Sequence, residues 1–200
     1  MSLSPLPTIR KAQKIQGRTL IFRDAMQEDA AFILSLRTDS QKSRYLSPTD
    51  DDLEKQKNWL NHYAEQTDQA YFIIESLEGE PLGTVRLYDA QEHSFCWGSW
   101  ILKEGAPQTA AIESALMVYA YAIDYLKFQS AHFDVRKGNE SVWKFHERFG
   151  AQRVARNEDD YLYTIDSKAI IETRKKYAKF LPENLLICDY FPRSGVGAIG

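Results

Sequence analysis

Two short stretches carry residue types whose spacing could do chemistry. The first is KEGAPQTAA, residues 103–111. Gly105, Ala106, Ala110 and Ala111 leave little side-chain bulk there, and Pro107 suits the first position of a helix. The first N–H groups of a helix have no internal partner, so a phosphate can approach such a turn and be held by backbone alone. The same residues also describe an ordinary tight strand-to-helix turn, since a second glycine is absent and no basic residue stands nearer than Lys103. The second stretch is GNESVWKFHERFGA, residues 138–151. Asn139 can cap a helix there and Gly150 can end it in the left-handed conformation. Val142, Phe145, His146 and Phe149 share one face at helical spacing, with Lys144, Glu147 and Arg148 on the other. His146 therefore faces inward, either as a core histidine or as a group that titrates near neutrality and hands a proton to a leaving group.

The elements that must position these stretches follow from periodicity and turn residues. Residues 19–23 are expected as a strand, and the acidic residues 24–29 cap a helix running to about Arg37. A polar loop, 39–50, precedes an amphipathic helix over 51–66 with Leu53, Leu60 and Tyr63 on one face. Residues 70–76, 82–88 and 95–102 then give three consecutive antiparallel strands, the first two joined by the EGEP turn. From 107 to 126 the chain is apolar almost all round, which requires a helix buried on most sides. A strand at 131–135, a helix from Asn139 to Phe149, strands at 152–155 and 161–165, and a basic helix from Lys168 to about Ala178 complete the order. That order describes an α+β fold, a mixed and mostly antiparallel sheet with helices on both faces. Residues 1–17 read as a flexible N-terminal arm, 18–181 as one domain, and 182–200 as a loose tail, with Leu185, Leu186 and Ile187 hinting at a docked strand or turn.

Composition narrows the function. The chain has 200 residues, enough for one domain with a stable core. Its 25 Lys and Arg against 28 Asp and Glu give a net charge of -3, which leaves no electrostatic footprint for nucleic acid or an anionic membrane. Two cysteines, Cys96 and Cys188, make neither a disulfide framework nor a metal-ligand spacing. No metal is expected, and a reducing cytoplasm fits the cysteine usage. The N-terminus lacks the apolar run of a signal peptide and no segment reaches the length of a membrane span, so a cytoplasmic protein is expected.

Taken together, the two stretches resemble the GNAT superfamily of acetyl-coenzyme A dependent N-acetyltransferases, over roughly Thr19 to Ile165. The late helix carries the resemblance: it opens at Asn139 and closes as FHERFGA. Two features depart from the family pattern, the turn and one position of the late helix. The family turn has Arg or Gln, two residues, Gly, one residue, then Gly or Ala. With Ala111 placed last, this chain has Ala106 and Thr109 at the first two of those positions. The tyrosine that many members carry in the late helix is replaced by His146.

The resemblance implies direct acetyl transfer from acetyl-CoA, a co-substrate, to a primary amine with no covalent enzyme intermediate. Backbone N–H groups around Trp100, Ile101 and Leu102 would receive the thioester oxygen. Gly105, Ala106, Gln108, Thr109, Ala110 and Ala111 would hold the diphosphate, with Asn139 and Ser141 at the coenzyme from the late helix. His146 would protonate the leaving thiolate. Asp89, His93, Glu104 and Tyr163 are the candidates for activating the amine, although each residue type is more often a solvated surface group. The acceptor would be a nucleotide-linked amino sugar or a protein N-terminus, and a homodimer is compatible with the family. The acidic run PTDDDLE, 48–54, suits a cationic amine but is explained as well by a helix start. A noncatalytic acyl-CoA-binding sensor or scaffold of the same fold is the alternative that the degenerate turn keeps open.

Overall fold

A computed structural model describes residues 4–42 and 44–190. The elements run β1 (Ala12–Gln16), β2 (Leu20–Asp24), α1 (Ala30–Thr38), α2 (Leu53–Glu65), β3 (Ala70–Ser76), β4 (Pro81–Gln91), β5 (Ser94–Leu102), α3 (Ala110–Ala120), β6 (Ser130–Arg136), α4 (Glu140–Arg148), β7 (Gln152–Arg156), β8 (Asp160–Asp166), α5 (Ser167–Lys176) and β9 (Leu186–Asp189). The strands form one nine-stranded sheet in the order β7-β8-β6-β5-β4-β3-β2-β1-β9. Every neighbouring pair is antiparallel except β5 and β6, which run parallel. This is the expected α+β architecture.

Side-chain alternation along β3 separates the two layers. Ala70, Phe72 and Ile74 point into the larger core with α3, while Tyr71 and Ile73 point into a smaller one with Ile33 of α1 and with Leu60 and Tyr63 of α2. Helices α1 and α2 thus cover one face. Helix α3, buried nearly throughout as its all-round apolar sequence requires, covers the other together with Phe149, at the end of α4, and Ile170 of α5. It closes in a single π turn, Tyr121–Tyr125, where the Leu126 N–H reaches back to the Tyr121 carbonyl. Among the described residues, no helix is long and apolar enough to cross a membrane.

One buried carboxylate ties α3 to the sheet. Glu113, 2% exposed, accepts the N–H groups of Arg18, Thr19 and Leu20 and the Thr19 hydroxyl, and so satisfies the turn between β1 and β2. The segment expected as a flexible arm is therefore corrected over its second half. Ile9, Ala12 and Ile15 are buried, and β1 sits inside the sheet between β2 and β9. Its polar residues, Gln13, Lys14 and Gln16, are the outward positions of a strand rather than a sign of disorder. The expected tail likewise supplies β9, and its residues beyond 190 lie outside the described residues, as do residues 1–3 of the arm.

Candidate active site

The site originates in a failure of two strands to stay together. β5 and β6 pair at Ser94–Ser130, Phe95–Ala131 and Cys96–His132, and no pairing continues beyond that point. On the other side of β5, the register with β4 slips between Arg86–Gly98 and Thr84–Ile101, so β5 holds one residue more than its partner. That bulge contains Ser99 in the left-handed region at φ +47, with its carbonyl fixed by the Thr84 hydroxyl at 2.7 Å. A bulge bends its strand and sharpens the local twist, which turns the end of β5 away from β6. The edge of β5 after Cys96 is thereby left without a strand partner.

A cleft of about 630 Å³ occupies the gap. It passes through the sheet: Trp97, Trp100, Phe133, Val142 and His146 line it from the α3–α4 layer, and Gln56, Trp59 and Tyr71 from the α1–α2 layer. In the α3 layer, residues 103–112, Gly105, Ala106, Gln108, Thr109, Ala110 and Ala111 among them, lie outside the residues that line the cleft, and the turn before α3 is open to solvent. Gly105 takes φ +79 with nothing within 4 Å of where a Cβ would stand, and Gln108 and Thr109 are exposed. The Ala110 N–H bonds the Pro107 carbonyl and the Glu113 N–H bonds the Thr109 carbonyl. Among the described residues the N–H groups of Gln108, Thr109, Ala111 and Ile112 have no backbone partner. Thr109 sits at the cap position without a side-chain cap bond. Unpartnered amides at a helix start are the kind of group that can hold an anion. Asn139 is the capping residue of α4, but its side chain makes no cap bond and faces the cleft; the Ser141 hydroxyl, outside the cleft, lies 3.5 Å from its amide oxygen.

The second side is built from side chains. The Arg86 guanidinium lies 4.6 Å from the Tyr88 ring centre and 5.4 Å from that of Trp59, oriented by a 2.6 Å bond from its Nε to Gln69 Oε1. Arg37 reaches the loop before α2, donating to Thr49 Oγ1 at 2.7 Å and to the Ser47 carbonyl at 3.3 Å. Among the described residues neither guanidinium has a carboxylate partner. Lys55 pairs with Asp50 at 2.6 Å and Arg136 with Asp159 at 3.3 Å, so those two charges are already answered. Asp52 caps α2 through the Lys55 N–H, which is what the acidic run 48–54 is for.

The structure redistributes the roles expected from sequence. Trp100 lines the cleft, its indole donating to Ser114 Oγ on α3 at 3.0 Å, whereas Ile101 and Leu102 pair with Thr84 and Gly83 away from it. His146 also lines the cleft, packed against Trp97, Trp100 and Phe133, with Nδ1 buried and without a hydrogen bond among the described residues. Burial pushes its imidazole down to about 3, below the near-neutral range expected from sequence, and so keeps it neutral at physiological pH. None of the four residues proposed to activate the amine faces the cleft. Asp89 lies exposed at the end of β4, bonded to His132 and Gln91. His93 is in the β4–β5 turn with its carbonyl holding Gln129, and Glu104 lies exposed ahead of α3. The Tyr163 hydroxyl is turned toward α4, donating to Glu147 at 2.8 Å and accepting from Arg153.

Asp134 is the cleft residue that sequence reasoning missed. It stands on β6 two residues past the last pair with β5 and lines the cleft while remaining exposed to solvent. Desolvation holds its carboxyl above the usual carboxylate range, and the like charge of Asp160 adds to the effect. The outward position in AHFDVR gave no reason to single it out, because an Asp alternating with buried residues reads as the wet face of a strand.

Comparison with known proteins settles the family. Residues 19–152 match the model of the acetyltransferase (GNAT) domain. The chain belongs to the GNAT acetyltransferases. It is 36% identical to a solved structure described as apo FdhC, a nucleotide-linked sugar GNAT, over 87% of this chain and 100% of that one, with a TM-score of 0.77. A GCN5-related N-acetyltransferase from Brucella melitensis shares the fold at 18% identity, covering 90% of each chain with a TM-score of 0.73. Variants of the spermidine N-acetyltransferase SpeG from Vibrio cholerae do so at 14% identity, over 76% of this chain and 96% of theirs, with a TM-score of 0.65. No curated protein matches the chain.

Proposed function

We propose that this acetyltransferase moves the acetyl group of acetyl-CoA onto the amine of a nucleotide-linked amino sugar. The observation that carries this reading is the pair of guanidiniums, Arg37 and Arg86, that face the cleft beside Trp59 and Tyr88 without a carboxylate to neutralise them. Two unanswered positive charges next to exposed aromatic faces suit a nucleoside diphosphate, with phosphates on the guanidiniums and a base or sugar on the rings. They repel a polyamine or a basic peptide. The similarity to a nucleotide-linked sugar GNAT over the whole of that chain supports the same acceptor.

The residues present fit the acyl donor. The free amides of Gln108, Thr109, Ala111 and Ile112 would hold its diphosphate, and the unpaired edge of β5 at Trp100 would polarise the thioester carbonyl. The apolar walls of Trp97, Phe133 and Val142 exclude water from the reacting carbon. His146, held neutral, can offer only an N–H or a lone pair to the departing sulfur.

The test is release of coenzyme A thiol with a panel of acceptors: nucleotide-linked amino sugars, the free amino sugars, spermidine, and peptides with free N-termini. A nucleotide-linked amino sugar should exceed its free counterpart in kcat/KM by roughly a hundredfold, the worth of two charge-assisted contacts. A peptide or spermidine turned over faster would overturn the assignment of the acceptor. Stabilisation by acetyl-CoA in a thermal melt without turnover of any amine would instead favour the sensor reading.

A further inference from the structure

We infer that Asp134 is the general base of the reaction, taking a proton from the acceptor amine in the cleft. Three carboxylates line that space, Asp50, Asp52 and Asp134. Asp50 is committed to Lys55 at 2.6 Å, and Asp52 to the first turn of α2 at 3.1 Å. Asp134 makes no ion pair and no hydrogen bond to another residue among the described residues. It alone of the three belongs to a strand that frames the gap, opposite the edge of β5 where a thioester carbonyl would be received. A carboxylate so placed can meet an amine whose diphosphate is held by Arg37 and Arg86, because those guanidiniums line the same cleft from α1 and β4.

The proton inventory is simple. An amine arrives as an ammonium and cannot attack until an N–H bond breaks. Asp134 takes that proton, forming O–H, and returns it to water after turnover. The freed lone pair forms the C–N bond with the carbonyl carbon while the C–S bond breaks toward sulfur. The nitrogen's second proton departs with the sulfur as a thiol. Desolvation and Asp160 raise the affinity of Asp134 for a proton, which moves a carboxylate toward what a base for an ammonium needs. The charged and titratable groups around it are Arg136 on its own strand, Arg86 and Tyr88 on β4, Cys96 on β5, Asp160 on β8, Asp50 and Lys55 from the loop and start of α2, and His146 on α4. Arg136 opposes the shift without reversing it, so the carboxyl stays above the ordinary carboxylate range.

The inference rests on the acetyl-transfer reading, and its test separates the two. Asp134→Asn, which removes the base and keeps the shape, should lower kcat/KM at neutral pH by roughly a hundredfold to a thousandfold. Acetyl-CoA should still raise its melting temperature as it does in the parent. The acid limb of the pH–rate profile should vanish, leaving a rate that climbs with hydroxide, and Asp134→Glu should recover part of the loss with the limb restored. The comparison is made on whichever amine the parent enzyme prefers, so an error about the acceptor shows in the parent and not in the variant. An Asn variant within threefold of the parent, or one that is slow yet keeps the acid limb, would overturn the assignment.

Discussion

The two sides of the cleft are made of different material. Toward α3 the protein offers backbone amides at a turn of small residues, and the nearest cation, Lys103, is already paired with Glu80. Toward α1 and α2 it offers Arg37, Arg86, Trp59 and Tyr88, each set by its own neighbours. Backbone amides carry no sequence, so a turn with Ala106 and Thr109 where relatives have Arg or Gln and Gly keeps its donors as long as the helix starts in the right place. Side chains are sequence, and recognition built from them changes with every substitution. The donor side can therefore drift in residue type without losing its ligand, while the acceptor side records which amine is used.

The hardest test of that contrast is to remove what holds α3 in place. Glu113→Ala leaves the N–H groups of Arg18, Thr19 and Leu20 without their acceptor, and the unmade bonds should cost about 3 kcal/mol of stability. For a chain of this length that is a fall of about 6–12 °C in melting temperature, readable by calorimetry. An unchanged melt would show that the β1–β2 turn does not anchor the donor side.

On the acceptor side, Arg86→Ala should raise the KM for a nucleotide-linked acceptor by about thirtyfold, roughly 2 kcal/mol, and leave the KM for acetyl-CoA where it was. Arg86→Lys should recover little, since an ammonium cannot reproduce a planar group stacked between Trp59 and Tyr88. Equal effects on both substrates would break the division between the two sides. The donor side answers to the converse change: Thr109→Asp places a negative charge at the start of α3. An Asp there is a better helix cap than Thr, so the melting temperature should hold or rise. Affinity for acetyl-CoA, by titration calorimetry, should nevertheless fall by about tenfold, or about 1.4 kcal/mol, through repulsion of the diphosphate. A gain in both would mean that the diphosphate lies elsewhere.

Much of this molecule was legible because its signals are local. The alternation in 70–76, the all-round apolar helix after Pro107, and Asn139 and Gly150 at the two ends of α4 each state an element within a few residues. The missed features depend on distant partners. β1 exposes three of its five residues and is a strand only because β2 and β9 flank it. The cleft depends on a bulge at Ser99, a residue with no particular preference for positive φ, so nothing in SFCWGSWIL announces where β5 leaves β6. Asp134 became visible only once that gap was in view. Conversely Asp89, His93, Glu104 and Tyr163 are expected on strands that face the cleft, but none of them lines it, because an element's position in sequence does not say which of its residues turn toward the gap.

His146 forms part of the α3–α4 wall of the cleft, and its charge state sharpens the contrast most finely. Its ordinary value is 6.5 and burial takes it down to about 3, so between those values the unfolded chain binds a proton that the folded one refuses. The associated stability is fully present above pH 6.5 and is lost as the pH falls toward 3. Replacing the ring with a group that cannot titrate removes this term while keeping the aromatic packing against Trp97 and Phe133. Between pH 7 and pH 5.5 the parent should therefore lose about 1 kcal/mol more than His146→Phe does, measured as the difference of denaturant midpoints at the two pH values. Parallel losses would mean that the imidazole is charged in the folded protein and that the donor side does use a cation. Turnover of the same variant decides whether a neutral imidazole assists the leaving sulfur: an unchanged kcat assigns that proton to water, and a fall with an intact acid limb assigns it to His146 and leaves Asp134 as the base.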